Sequence, residues 1–310
     1  MISVVDLDGE PDTEPGAGIV IATGSRFDPA DPRLDRATFT LTERDDTDRR
    51  VIRVLSVPRA LAEIEAHCRA HPHAAAICDD VLRAVDPTAP ASAGVTTESL
   101  AYSTLQGGPE FARWLAERGP AEVPETPDPV LIDRDGDTLT LRFNRPGRHN
   151  AFSNAMRAGL LDGLAVARAD TSISEVVLSG TGPSFCSGGD LAEFGRFTDV
   201  ASAHLARTRY SPALALDALT SRLGARCRAE IHGQVLGSGL EMAAYCGRMT
   251  AHPDTVLGLP ELSLGLVPGA GGTVSITRRI GRWRTGYLIL SGRTIDARTA
   301  LRWGLVDEVS

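Results

Sequence analysis

The chain is 310 residues long, about twice an ordinary domain of roughly 150 residues, so one large domain or two ordinary ones fit the length. With 42% hydrophobic and 23% charged residues, it has the composition of a globular protein, which excludes a disordered or membrane-embedded chain. The net charge is −8 and all 32 basic residues are arginine, so no basic stripe suits nucleic acid, and the absence of lysine excludes Schiff-base chemistry, lysine-bound pyridoxal phosphate and biotin attachment.

Residues 1–15 (MISVVDLDGEPDTEP) carry acids where a secretory signal has a basic start and an apolar core. No apolar run approaches the ~20 residues of a spanning helix, so a cytoplasmic protein without a membrane partner is expected. Residues 50–57 (RVIRVLSV) read as a strand, Pro58 opens a helix through Ala70, and Ala74 to Val85 reads as a second strand or buried segment. A further helix follows Thr97, interrupted at Gly107-Gly108-Pro109. Residues 118–130 (RGPAEVPETPDPV) hold four prolines among acids and read as an extended linker. The expected organisation is an α/β accessory domain over 1–120, a proline-rich linker over 121–129, and a second domain over 130–310. No catalytic spacing emerges before residue 120.

In the second part Leu139 to Phe143 alternates as a strand, Met156, Leu160, Leu161 and Leu164 fall at helical spacing, and residues 174–179 (SEVVLS) form a short buried strand. Strand, helix and strand in succession predict parallel crossover units of an α/β domain. A comparable succession at 51–85 raises an internal duplication, with few identities to support it. The five cysteines form no C-x-x-C and read as reduced core thiols, and no metal-ligand spacing is present.

Two glycine-rich turns stand out: Phe185-Cys186-Ser187-Gly188-Gly189-Asp190, and Gly233 to Glu241 (GQVLGSGLE) before a helix. Each reads as ordinary punctuation or as a ligand site. Glycine lets backbone N–H groups approach a ligand, and unpaired donors at a helix N-terminus favour negative charge. Two such turns converging on one carbonyl oxygen supply two donors for an enolate or a tetrahedral oxyanion. Neither matches a Walker or Rossmann phosphate fingerprint. Glu241 lies in the first turn of its helix, where an acid also compensates the helix dipole. Glu261 sits in the apolar run Leu257 to Leu262 (LGLPEL); a buried carboxyl there has a raised pKa and is a candidate acid or base, with an exposed loop as the competing reading.

The runs IHGQVLGSGLEMAAYC, VLGLPELSLGLVPGAGGTVSITRRIG and LSGRTIDARTALRWGLVDEV, preceded in order by FNRPGRHNAFS and GPSFCSGGDL, resemble the crotonase (enoyl-CoA hydratase/isomerase) superfamily from about Val130 onward. The resemblance implies an α/β spiral of ββα units. It implies that Gly189 and Ser238 supply the backbone donors of the oxyanion hole, although the second position is usually glycine. Glu241 and Glu261 match the hydratase pair, the first activating water for attack at Cβ and the second exchanging the proton at Cα. Arg148, His149, Asn150 and Ala151 match the loop lining the CoA path, Ser187 and Leu191 flank the oxyanion turn as substrate-binding candidates, and Asp190 matches a recurrent acid that reads as structural.

The stretch from Leu191 to Leu219, with Phe194, Phe197, His204, Arg207, Arg209 and Tyr210, corresponds to the variable acyl-pocket region. Its charge suits a polar or acidic acyl chain, and a solvated helix face of the same composition is the favoured reading. His232 reads as a satisfied core or supporting histidine. The family usually continues beyond GLVDEVS with a helical tail, so the N-terminal helices are expected to cover the surface such a tail buries. The implied activity is 2-enoyl-CoA hydration or dehydration by a lyase without a separate cofactor or metal, acting as a homo-oligomer, trimer or hexamer. Alternatives are double-bond isomerisation or another acyl-CoA reaction of secondary metabolism, such as one on an aryl-acetyl thioester, and a catalytically weak scaffold subunit.

Overall fold

Four short strands, β1 (Ser3–Asp6), β2 (Val20–Thr23), β3 (Phe39–Thr42) and β4 (Val51–Arg53), pair in parallel in that order. They open the computed structural model, which describes residues 2–9, 18–197 and 199–310. Between β2 and β3 lies α1 (Pro32–Arg36), capped by Asp31. Helices α2 (Val57–Ala70), α3 (Pro72–Ala84), α4 (Ala91–Gln106) and α5 (Pro109–Arg118) follow. Proline opens α2, α3 and α5, where its fixed φ suits the first turn and its missing N–H costs nothing.

The strand expected over 74–85 is a helix. Ala74, Ala75, Cys78, Val81 and Leu82 are buried at helical spacing, and a short apolar run does not by itself distinguish a buried strand from a buried helix. The succession at 51–85 therefore ends in two helices and repeats nothing in the second part. The helix expected after Thr97 starts upstream, at Ala91, and glycine residues 107 and 108 separate it from α5.

The second part begins with the antiparallel hairpin β5 (Val130–Asp135) and β6 (Thr138–Phe143). Then come α6 (Asn154–Ala169), whose cap Ser153 accepts the Met156 N–H at 3.2 Å, and β7 (Glu175–Gly180). Next are α7 (Val200–Arg209), α8 (Pro212–Leu223), β8 (Cys227–Ile231), β9 (Gln234–Leu236) and α9 (Ser238–Ala243). The chain continues through β10 (Arg248–Ala251), β11 (Val256–Gly258), α10 (Gly272–Ser291), β12 (Ile295–Asp296), α11 (Ala297–Trp303) and β13 (Glu308–Val309). One sheet runs β13-β10-β8-β7-β6-β5 and another β12-β11-β9. Successive turns thus give one strand to each sheet, β8 with β9 and then β10 with β11, which is the ββα spiral that the resemblance implies.

Helix α10 joins the two parts. It is buried over most of its length, bends at Gly281 (φ +79°), and packs against α2, α3, α4 and α9. A single apolar core runs from Ile19 to Val306, so residues on both sides of the proline-rich stretch remove each other's apolar surface from water. All five cysteines are buried free thiols. Among the described residues no helix is long and apolar enough to cross a membrane.

The contact between α4 and α10 is close enough to test. A Cβ on Gly94 would lie 2.4 Å from Val274 Cγ2. Gly94→Val is expected to overpack this contact and lower the unfolding free energy by about 1–3 kcal/mol, seen as a lower urea midpoint; an unchanged midpoint would contradict this packing.

Candidate active site

The two glycine-rich turns lie side by side. Cys186 N–H donates to Gln234 O at 3.2 Å and Leu236 N–H to Cys186 O at 3.0 Å. Gly237 has φ +47°, and a Cβ there would meet Glu261 Oε1 at 2.5 Å, so glycine is required both by conformation and by space. Phe152 N–H donates to Gly188 O at 2.7 Å and Asp190 N–H to Phe152 O at 3.0 Å, which leaves the intervening Gly189 N–H without an acceptor among the described residues. Ser238 is the first residue of α9, so its N–H has no intrahelical acceptor either. Ser238 is not among the residues of positive φ, which is why a side chain is tolerated where glycine is usual.

Three buried glutamates surround these donors. Glu241, 1% exposed, accepts at Oε2 from Ala270 N–H at 2.7 Å and Gly272 N–H at 2.8 Å. Burial pushes its carboxyl up to about 7, with the N–H donors pulling the other way. Glu261, 8% exposed, starts a 3-10 turn and buries Oε2 without a hydrogen-bond partner among the described residues. Burial first, and then the Glu241 charge, hold it well above the usual carboxylate range. Glu98 of α4, 1% exposed, accepts at Oε1 from Gly271 N–H at 2.7 Å. Its Oε2 accepts from Thr273 N–H at 2.9 Å and Thr273 Oγ1 at 2.7 Å. Burial and Glu241 push Glu98 up to about 8. The consecutive N–H groups of residues 270–273 therefore point alternately to Glu241 and Glu98.

Gly189, Asp190, Ser238, Glu241 and Glu261 line one pocket. Asp190 forms ion pairs at 2.9 Å with both Arg145 and Arg148 and accepts the Ala192 N–H, a structural role. The other substrate-binding candidates do not line the pocket. Arg148 is engaged with Asp190, and His149 Nδ1 lies 2.9 Å from Ser184 Oγ. Asn150 is buried, accepting from Arg145 N–H and donating to Thr181 O and Ser184 O. Ala151 O accepts from the Arg145 guanidinium, Ser187 N–H donates to His149 O, and Leu191 is 44% exposed. Together the 145–151 loop and Asp190 form the frame behind the oxyanion turn. His232 Nε2 lies 3.0 Å from Gly182 O, a supporting contact.

Sequence reasoning missed the contribution of α4. Val95, Ser99, Tyr102 and Gln106 of α4 line the pocket, as does Arg157 of α6. The available signal was Glu98 itself, the one charged residue in ASAGVTTESLAYSTLQ. The solvated reading of 191–219 holds in part: Leu205 and Tyr210 are 46% and 64% exposed, while Phe194, Phe197, Arg207 and Tyr210 also line the pocket where α7 packs on α4.

Two backbone donors without an acceptor among the described residues thus lie beside buried carboxyls on a ββα spiral. The chain belongs to the enoyl-CoA hydratase/isomerase family, whose model matches residues 134–310. It is 36% identical over 180 residues to the 2,3-dehydroadipyl-CoA hydratase of Escherichia coli K12, covering 58% of this chain and 68% of that protein. The enoyl-CoA hydratase structure from Thermoplasma volcanium aligns with a TM-score of 0.50 at 34% identity, over 59% of this chain and 71% of that one. That from Mycobacterium smegmatis aligns with a TM-score of 0.51 at 30% identity, over 58% and 69%. Helix α4 and Glu98 lie outside the segment matched by the family model.

A carboxyl near 8 in the folded chain and near 4.5 when unfolded binds its proton more tightly in the native state. Its contribution to stability is complete below the unfolded value and is lost as pH rises through the folded one. The urea midpoint of Glu98→Gln is accordingly expected to fall less between pH 5 and pH 8, or rise more, than that of the unsubstituted protein; parallel curves would contradict the raised pKa.

Proposed function

We propose that this chain hydrates the 2,3 double bond of an enoyl-CoA thioester and catalyses the reverse dehydration. The observation that carries this reading is geometric: the buried carboxyls of Glu241 and Glu261 line one pocket with Gly189 and Ser238. Burial raises both, Glu241 to about 7 and Glu261, with the Glu241 charge added, well above the usual carboxylate range, which suits the first to act as base and the second as acid. The relatives' hydratase names support the same reading.

In the hydration direction the thioester oxygen accepts from the Gly189 and Ser238 N–H groups, which draws electron density from Cβ. Glu241 takes a proton from water as the water oxygen bonds to Cβ, and the π electrons move onto the thioester as an enolate. The two N–H donors hold that oxygen; one such donor typically contributes about 3–4 kcal/mol to lowering the barrier. The Glu261 O–H then delivers its proton to Cα. Proton return from Glu241 to Glu261 through water resets the pair. The oxyanion donors sit on fixed turns, so they need no reorganisation as charge develops.

Crotonyl-CoA is expected to lose its conjugated enoyl-thioester absorbance with the purified protein, and Glu241→Gln and Glu261→Gln to lower kcat by about 10²–10⁴-fold each. A base must be ionised to act, so kcat falls as pH drops through about 7, a limb that Glu241→Gln removes. No turnover of any 2-enoyl-CoA, or a Glu241→Gln profile matching the wild type, would refute the proposal.

A further inference from the structure

The pocket holding Glu241 and Glu261 is also lined by two arginines, Arg157 of α6 and Arg207 of α7. Among the described residues, neither has a carboxylate at ion-pair distance. Arg145 and Arg83 are paired, with Asp190 and Asp79, whereas buried Arg284 donates only to the Trp303 and Asp48 carbonyls and lies away from this pocket. The Arg157 guanidinium donates to Asn154 Oδ1 at 2.7 Å. Arg207 is clamped by α4: Nε donates to Ser99 Oγ at 3.0 Å, Nη1 to Gln106 Oε1 at 2.9 Å, and Nη2 to Ser99 O and Ser103 Oγ. Its guanidinium carbon lies 4.5 Å from the Tyr102 ring centroid. All these partners are neutral.

The acids nearby are engaged elsewhere. Asp190 is shared by Arg145 and Arg148, Glu193 accepts the Asn154 N–H at 2.7 Å, and Glu98 and Glu241 hold residues 270–273. Burial disfavours the charge on both arginines, and each guanidinium nonetheless keeps its proton. The Arg157 charge disfavours that of Arg207; Glu193, which lines the same pocket, favours Arg157 and Glu98 favours Arg207, but neither is hydrogen-bonded to its arginine, so an anion that contacts both is favoured. Apolar Val95, Phe194 and Phe197 line the same pocket, and a Cβ on Gly189 would reach the Phe194 ring at 2.8 Å. This surrounding suits a hydrocarbon chain with a charged end.

Resting on the hydratase reading, we infer that the pocket accepts a 2-enoyl-CoA whose acyl chain ends in a carboxylate, held by Arg157 and Arg207. The α4 clamp takes four of the five Arg207 N–H groups and fixes the side chain in advance, leaving one Nη1 N–H for the carboxylate, so little side-chain entropy is lost on binding. CoA phosphates offer the same anionic oxygens, and the choice of substrates separates the two sources.

The experiment compares kcat/KM for a six-carbon 2-enoyl-CoA ending in a carboxylate with that for its methyl-ended counterpart. The wild type is expected to favour the carboxylate by about tenfold or more, as a charge-assisted contact provides. Arg157→Gln and Arg207→Gln are expected to shrink that ratio, and Arg157→Lys to restore part of it. Equal efficiency in the wild type overturns the inference and leaves the hydratase reading standing; hydration of neither substrate overturns that reading as well. Equal losses on both substrates in the arginine variants, with lost discrimination between CoA and pantetheine thioesters, assign the arginines to phosphate and overturn the inference. The wild-type ratio is decisive even where Arg207→Gln, which breaks the α4 clamp, fails to fold.

Discussion

Four consecutive backbone N–H groups at the start of α10, from Ala270 to Thr273, are divided between two carboxyls from distant parts of the chain. The rest of the site depends on this division. Unpaired donors at the start of a long helix carry partial positive charge, and they offset part of the cost of burying two acids side by side. The backbone must alternate direction over these residues, which Gly271 permits with φ +96°. It must also pass within reach of Glu241, and a Cβ on Gly272 would lie 2.5 Å from Glu241 Cγ.

That constraint explains why residues before the proline-rich stretch share one core with those after it. Glu98 reaches residues 271 and 273 only if α4 lies across the start of α10, and α2 and α3 pack along the same helix. The same helix α4 clamps Arg207 and places Tyr102 against Gly269, where a Cβ would meet the ring at 2.5 Å. Water exclusion, the raised carboxyls and the pocket lining therefore have a common structural source.

That Glu241, Glu261 and the two glycine turns come together was legible because their signals are local. Glu261 stands in an apolar run, and Gly188-Gly189 and Gly237 punctuate strand ends. The spiral was legible through ordered motifs, and Pro58 marked its helix correctly. What stayed hidden is what depends on distant partners. Glu98 acts on Gly271, 173 residues away, and nothing near it in the sequence announces that contact. The helix over 72–84 was hidden because Ala74, Ala75 and Cys78 fit a buried strand as well as a buried helix until their partner is known. The inward side of 191–219 was hidden because His204 and Arg207 meet Ser99 of α4, a contact between distant parts of the chain. The contacts of the 148–151 loop were hidden too, since Arg148 pairs with Asp190 and His149 O accepts from Ser187 N–H, both far along the chain.

The central claim is that Glu98 and Glu241 hold residues 270–273 as one unit, and amide hydrogen exchange tests it most directly. The account predicts that Glu98→Ala speeds exchange at Ala270 and Gly272, which Glu241 holds, as well as at Gly271 and Thr273, while amides in the middle of α10 keep their protection. Faster exchange confined to Gly271 and Thr273, with Ala270 and Gly272 unchanged, would contradict it.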